Sequence, residues 1–122
     1  MAIVQVDLTK PTVLPDGRYT LTVVKTEIYM PQAGATTATG NPKAPSIIWT
    51  LHEPQTGLSV RHFTSFNAPF LIKPICEACN VKYDANGFDT DDCLNHQIEA
   101  DVVVVDDPKY GPQNKITKVY KI

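Results

Sequence analysis

Apolar and polar side chains alternate along five short segments of this chain. In the first segment, Tyr19, Leu21 and Val23 alternate with polar residues, and the parity then changes at Val24. Period-two alternation with β-branched residues is typical of a half-buried strand. A change of parity inside a strand indicates a β-bulge, which is how barrel strands bend. The five segments predicted to be strands are residues 18–29, 46–53, 58–64, 98–105 and 115–122.

A helix is predicted between the third and fourth strands, at residues 67–80, where apolar side chains recur at helical spacing. Asn67 or Ser65 is a candidate N-cap, and Pro69 suits a first turn. Pro74 predicts a kink or a late start, because proline disrupts a helix interior. The predicted fold class is mainly β: a five-stranded OB-like barrel with one α-helix between strands 3 and 4. A small β-sandwich with one helix would have the same order of elements.

Length and composition predict a single domain over residues 1–122. A chain of 122 residues has room for one core, and 43% hydrophobic with 20% charged residues is ordinary globular composition. Residues 1–15 are expected to form a lead-in, with a short strand at residues 3–6. Residues 30–45 are expected to form a flexible loop, and long loops in compact domains are often functional.

The net charge limits the kinds of partner. At −2 the chain lacks the large positive balance of proteins that wrap duplex DNA, so a nucleic-acid site must be a local patch. The first residues lack the cationic start and long apolar region of a signal peptide. No apolar run approaches the ~20 residues that span a bilayer, and three cysteines, an odd number, argue against a disulfide framework. We therefore expect a cytoplasmic protein with no membrane partner.

Short motifs along the chain resemble a known family. They are Leu14-Pro-Asp-Gly-x-Tyr19, Thr39-Gly-Asn-Pro42, Gly87-Phe-Asp-Thr-Asp-Asp-Cys-Leu94, a valine-rich strand and Asn114-Lys-Ile-Thr-Lys-Val119. Over residues 14–120 this pattern is similar to the small tailed-phage proteins grouped as DUF669, although Asn95 and His96 stand where that family has Gly-Lys. The resemblance implies an OB-fold, single-stranded-DNA-binding-like protein that acts in phage DNA replication and recombination in the host cytoplasm. Its implied partners are single-stranded DNA and phage replication or recombination proteins.

Cations and aromatic residues lie on or beside the predicted strands. A single-strand binder needs positive charge along a groove for phosphates and aromatic faces on which bases stack. If Val60 is in the core, Arg61 and Phe63 face outward and form a platform for a base, although Phe63 would suit the core equally well. Trp49 and Tyr19 fit the core better. The predicted nucleic-acid-binding residues are Lys25, Tyr29, Lys43, Arg61, Phe63, Lys109, Tyr110, Lys115 and Lys118.

Every cysteine of the chain belongs to a second set of candidate residues. Cys76-x-x-Cys79 and Cys93-x-x-His96 have the donors and a permissible spacing for a tetrahedral zinc ion. Such a site would be structural, because all four positions would be filled. The alternative is that the cysteines are small buried hydrophobes, since Cys76 continues the apolar helical spacing. No other cofactor is expected.

Motifs for catalysis are lacking, with no nucleophile elbow, P-loop or His-Glu-x-x-His sequence, so we expect a protein that is not an enzyme. The resulting prediction is a phage-type, sequence-independent single-stranded DNA-binding protein that tracks the backbone electrostatically and stacks bases. The alternatives are a non-enzymatic structural or adaptor phage protein, which the charge of −2 favours, and a zinc-stapled interaction module. A homo-oligomer is compatible with each.

Overall fold

The computed structural model describes residues 12–34, 36, 40 and 43–122. The predicted strand at residues 3–6 and much of the predicted loop at residues 30–45 lie outside the described residues. The described elements, in chain order, are β1 (Gly17–Tyr29), β2 (Ser46–His52), β3 (Ser59–Ser65), helix α1 (Pro69–Ala78), a short 3₁₀ helix (Thr90–Cys93), β4 (Gln97–Asp107) and β5 (Gly111–Tyr120). In this part of the chain, no helix is long and apolar enough to cross a membrane.

The strands form one antiparallel sheet in the order β3–β2–β1–β4–β5. β1 is shared between two partners: residues 17–22 pair with β4, and residues 22–29 pair with β2. The register shifts between Val23 and Lys25, which confirms the bulge predicted from the parity change. The mainly β fold, with a helix between the third and fourth strands, is also confirmed.

The two edge strands, β3 and β5, approach each other across a gap. Their Cα atoms come within 8 Å, yet in the described part of the chain no ladder of hydrogen bonds joins them. The sheet therefore curls without closing into a barrel. An open cleft separates the two edges, and its lining includes residues 59–63 of β3 and residues 112–117 of β5.

The core lies on the concave face of the sheet. Trp49 at its centre is fully buried, and its indole N–H donates a hydrogen bond to the buried hydroxyl of Thr64 at 2.9 Å. This contact satisfies the polar atom of a large side chain inside an apolar environment. Ile75 and Ala78 of α1 pack against the same cluster. The interpretation of Trp49 as a core residue is confirmed.

Two boundaries differ from the predicted ones. Helix α1 is preceded by Ala68, with no side-chain cap, and runs through Pro74, so the predicted caps and the predicted late start are wrong. Strand β5 begins at Gly111 and includes Pro112, where a linker was expected. Proline lacks a backbone N–H, but an edge strand tolerates it because one side of the strand has no partner.

Candidate nucleic-acid interface

The convex side of β1, β2 and β3 carries three rows of side chains, which we call the outer face. Because side chains alternate between the two faces of a strand, the residues that pair with one another across these strands project together. The rows are Lys25–Thr50–Arg61, Glu27–Ile48–Phe63 and Tyr29–Ser46–Ser65. Trp49 and Val60 project to the opposite side and are buried. The outer face therefore presents cations in the first row and aromatic side chains in the next two.

Arg61 and Phe63 lie at the centre of this surface. Val60 is buried, whereas Phe63 is 56% exposed, so the prediction that Arg61 and Phe63 face outward is confirmed. The Arg61 guanidinium carbon is 5.3 Å from the centroid of the Phe63 ring, within the range of a cation–π contact. An exposed aromatic ring beside a cation is the arrangement that can stack a base and hold its phosphate.

A pocket of about 490 Å³ lies at the end of the outer face, where β1 ends, β2 begins and β3 ends; we call it the β1–β3 pocket. Its lining residues are Tyr29, Pro31, Lys43, Ala44, Ser46, Phe63, Ser65 and Asn67. Three predicted binding residues that are distant in sequence, Tyr29, Lys43 and Phe63, therefore meet here. Tyr29 is 55% exposed, which leaves its ring available to a ligand.

The open cleft between β3 and β5, of about 1250 Å³, begins on the other side of Phe63; we call it the β3–β5 cleft. Arg61 and Phe63 of β3 line one wall, Lys115 of β5 lines the opposite wall, and Tyr110 lies at the turn between β4 and β5. Because Phe63 lines both the pocket and the cleft, the two form one continuous surface.

The turn between β4 and β5 is held by one carboxylate. Oδ1 of Asp107 accepts hydrogen bonds from the backbone N–H groups of Lys109, at 2.7 Å, and Tyr110, at 3.0 Å. Tyr110 is 67% exposed, and the Lys109 ammonium lies 5.2 Å from the centroid of its ring. The turn thus presents a second cation beside a second exposed aromatic ring at the mouth of the β3–β5 cleft.

The balance of charge along this surface is positive although the chain as a whole is negative. The lining of the pocket and the cleft includes Lys43, Arg61 and Lys115 and one acidic residue, Asp107, whose carboxylate is occupied by the turn. His62 also lines the cleft, and burial lowers the pKa of its imidazole, so it is neutral at pH 7. The surface is therefore a local basic patch on a chain of net negative charge.

Two predicted cations, Lys25 and Lys118, do not line the pocket or the cleft. Lys25 lies on the outer face, but its ammonium is 3.3 Å from Oε1 of Glu27, so part of its charge is neutralised. Lys118 lies outside the pocket and the cleft: its ammonium is 5.0 Å from the Tyr120 ring, beside Arg18 and Asp101. Lys118 is therefore the predicted residue that the fold separates from the others.

The Cys/His set is divided between the core and the surface. Cys76, Cys79 and Cys93 are buried and form no disulfide, while His96 is exposed. Burial raises the pKa of the Cys76 thiol to about 11. No group of three or more His, Cys, Asp or Glu side chains in the described ranges is placed to hold a metal ion. The zinc site stays a prediction, and metal analysis of protein purified without chelator tests it: one zinc per chain would support it.

Three polar residues of the β1–β3 pocket were missed by reasoning from the sequence. Asn67 and Ser65 were interpreted as candidate helix caps, and Ser46 as an ordinary strand residue. Their convergence depends on β2 and β3 being paired so that Ser46 lies opposite Ser65, with Asn67 in the turn that follows. The one signal in the sequence was the strand–turn–helix junction at residues 64–69, which places a polar turn next to a strand end.

No protein-family model matches this chain, and no curated protein matches it, so its function is inferred from the chemistry of the pocket, the cleft and the outer face.

Proposed function

We propose that this protein is a non-catalytic, sequence-independent single-stranded DNA-binding protein. The observation that carries the proposal is that exposed Tyr29, Phe63 and Tyr110 alternate with the cations Lys43, Arg61 and Lys115 along one continuous surface. Such proteins combine a basic groove that follows the backbone with aromatic rings on which successive bases stack.

The fold supports the same proposal. An OB-fold is a five-stranded, partly open barrel that binds oligonucleotides on its second and third strands and in the loops after its first and fourth strands. Here the corresponding elements are β2 and β3, the β1–β2 connection with Lys43, and the β4–β5 turn with Tyr110. The strand order, with β3 and β5 facing each other, supports an OB-like barrel whose last seam is open.

The mechanism follows from the two kinds of side chain. Lys43, Arg61 and Lys115 attract the phosphates and release counterions, which makes the affinity dependent on salt. Aromatic rings contribute about 1–3 kcal/mol per stacked base, with little discrimination between bases. From the resemblance to DUF669 we extend the proposal to a role in phage DNA replication or recombination in the host cytoplasm, with replication or recombination proteins as further partners.

A titration across salt concentration tests the proposal. Fluorescence anisotropy with labelled oligo-dT at low salt should give a dissociation constant in the micromolar range or tighter. With three cations on phosphates, the slope of log K against log salt should be about −2. Duplex DNA of the same length is the control and should bind more weakly, since stacking needs unpaired bases. No binding of oligo-dT at low salt would contradict the proposal.

A second candidate function, that of a structural or adaptor phage protein, is favoured by a separate observation. Phe66, Phe70 and Leu71, near the start of α1, are exposed, Phe70 to 71%. Contiguous exposed apolar side chains often mark protein–protein interaction sites. Size-exclusion chromatography distinguishes the two functions: a homo-oligomer that Phe70→Ser dissociates, together with no affinity for DNA, would favour the adaptor.

A further inference from the structure

We infer that the β1–β3 pocket takes up one base of the bound strand and reads it through the carboxamide of Asn67, with a preference for adenine. This inference rests on the proposed function and adds a substrate preference at a single position. The rest of the surface, built from cations and aromatic rings, remains tolerant of sequence.

The pocket has the size and composition of a small-ligand site. Its volume of about 490 Å³ falls within the roughly 300–1,000 Å³ that is usual for such sites. Tyr29 and Phe63 supply aromatic walls, and three polar side chains, Ser46, Ser65 and Asn67, converge on the same space. Apolar walls with a few converging polar groups are the arrangement that fixes a ligand's orientation. A base that only stacks on a ring would not need these polar groups.

Asn67 is held in place by its backbone. Its N–H donates to Oγ of Ser65 at 3.1 Å, and the neighbouring N–H of Ala68 donates to the Ser65 carbonyl at 2.9 Å. The N–H of Phe66 donates to the Pro45 carbonyl at 2.9 Å, which ties the turn to the start of β2. The position of Asn67 relative to the two strands is therefore set before a ligand arrives.

Within residues 12–34, 36, 40 and 43–122, the Asn67 carboxamide has no protein partner. Helix α1 begins without a side-chain cap, and among the described residues no group forms a hydrogen bond with this carboxamide. At the rim of a pocket, such an amide can donate its N–H to a ligand acceptor and accept a hydrogen bond from a ligand donor at the same time. The hydroxyl hydrogen of Ser65 is also available, because Oγ acts as an acceptor in its bond to Asn67.

Adenine is the base that this group matches best. Its N6 amino group and N7 offer a donor beside an acceptor, and asparagine pairs with both at once. Guanine offers two acceptors, O6 and N7, along the same edge, so a carboxamide can satisfy only one of them. Serine hydroxyls accommodate either arrangement. Lys43, which lines the same pocket, is placed to meet the phosphate of the same nucleotide.

Competition binding with four oligonucleotides tests the inference. Each is oligo-dT with a single central A, C, G or T, and each competes with labelled oligo-dT for the full-length protein. The oligonucleotide with adenine should bind about 5-fold more tightly than the other three, at the lower end of the discrimination of a bidentate pair. Asn67→Ala should abolish this preference, so that the oligonucleotide with adenine competes no better than the other three. The matched control is Asn86→Ala, an exposed asparagine in a turn away from the pocket, which should keep the preference.

The outcomes separate the two proposals. Equal affinity for all four oligonucleotides, with oligo-dT still bound, would overturn the reading of a base and leave single-strand binding intact. A preference for C or G, or a preference for adenine that survives Asn67→Ala, would overturn the assignment to this carboxamide. No binding of any oligonucleotide would overturn both. Circular dichroism of Asn67→Ala confirms that the variant is folded.

Discussion

Two regions of the sheet each place a cation beside an aromatic ring, but the neighbours of the two pairs differ. On the outer face, Arg61 lies beside the exposed ring of Phe63, and within the described part of the chain it forms no ion pair with a carboxylate. Beside β4 and β5, Arg18 stacks 3.9 Å above the Tyr120 ring and its Nε is 3.0 Å from Oδ1 of Asp101.

Arg18, Asp101 and Tyr120, which we call the closed group, contact one another. The hydroxyl of Tyr120 donates to the other oxygen of Asp101 at 2.7 Å. That hydrogen bond and the Arg18 guanidinium lower the pKa of the Asp101 carboxyl. The comparison teaches that a cation beside an aromatic ring does not by itself indicate a binding site. A carboxylate turns the pair into a contact that joins three strands, and its absence leaves the pair open to a ligand.

The largest expected effect is a loss of DNA affinity when the pair of Arg61 and Phe63 is broken. Phe63→Ala should raise the dissociation constant for oligo-dT about 5- to 150-fold, because one stacked base contributes about 1–3 kcal/mol. Tyr83→Ala is the matched control, since Tyr83 is also exposed and has the Lys73 ammonium 5.8 Å from its ring centroid. Fluorescence anisotropy measures both variants. Equal losses for the two would show that general exposure of aromatic residues, and not this surface, governs binding.

A smaller effect is expected from single cations on β5. Lys115→Ala should reduce the slope of log K against log salt by about 0.7, because one phosphate contact is lost. Lys118→Ala should leave the slope unchanged, since Lys118 lies beside the closed group and outside the cleft. If only Lys118→Ala reduced the slope, the nucleic acid would bind beside the closed group and not in the β3–β5 cleft.

His62 in the cleft should make stability depend on pH. Because burial lowers its folded-state pKa below the ordinary value of 6.5, the unfolded chain binds a proton more readily than the folded one. The free energy of unfolding should therefore be unaffected by this group above pH 6.5 and should fall as the pH decreases through 6.5 towards the folded pKa. Chemical denaturation at several pH values measures this, and His62→Gln should flatten the dependence between pH 7 and pH 5.

The closed group should respond only to strong acid. The folded-state pKa of Asp101 is lowered from 3.8, so its stabilising effect is present above pH 3.8 and is lost as the pH falls through the folded value. Asp101→Asn should lower the midpoint of thermal unfolding at pH 7 and weaken the acid dependence, with affinity for oligo-dT unchanged. A loss of affinity comparable to that of Phe63→Ala would show that the closed group also takes part in DNA binding.

Local patterns in the sequence predicted most elements of the fold. The alternation from Tyr19 to Val23 and its change of parity located β1 and its bulge, because a strand exposes and buries alternate residues wherever it packs. The boundaries at Pro112 and Ala68 were not predicted. Whether a proline is tolerated depends on which strand is at the edge, and whether a helix is capped by a side chain depends on what else that side chain contacts. Both are properties of the neighbouring elements.

The candidate site was predicted in part for the same reason. Residue type identified Phe63, Lys43 and Tyr29 as candidates, and the fold brings them together in one pocket. It also identified Arg61, which lies beside Phe63. Residue type also suggested Lys118, which the fold places beside Asp101 and Tyr120. The sequence held no information on this difference, because the carboxylate of Asp101 meets Lys118 only through the pairing of β4 with β5.

The sequence by itself determined which segments form strands, where the chain turns, and which cations and aromatic residues are present. Period and residue type act over a few neighbouring positions, so these features can be inferred from the chain alone. Only the tertiary structure decided that Asn67 borders a pocket instead of capping a helix and that β3 and β5 face each other across an open cleft. It also decided that one cation–aromatic pair is exposed while another is closed by a carboxylate. These outcomes depend on strand register and on the curl of the sheet, which bring together residues that are distant in sequence, such as Arg18 and Asp101, 83 positions apart.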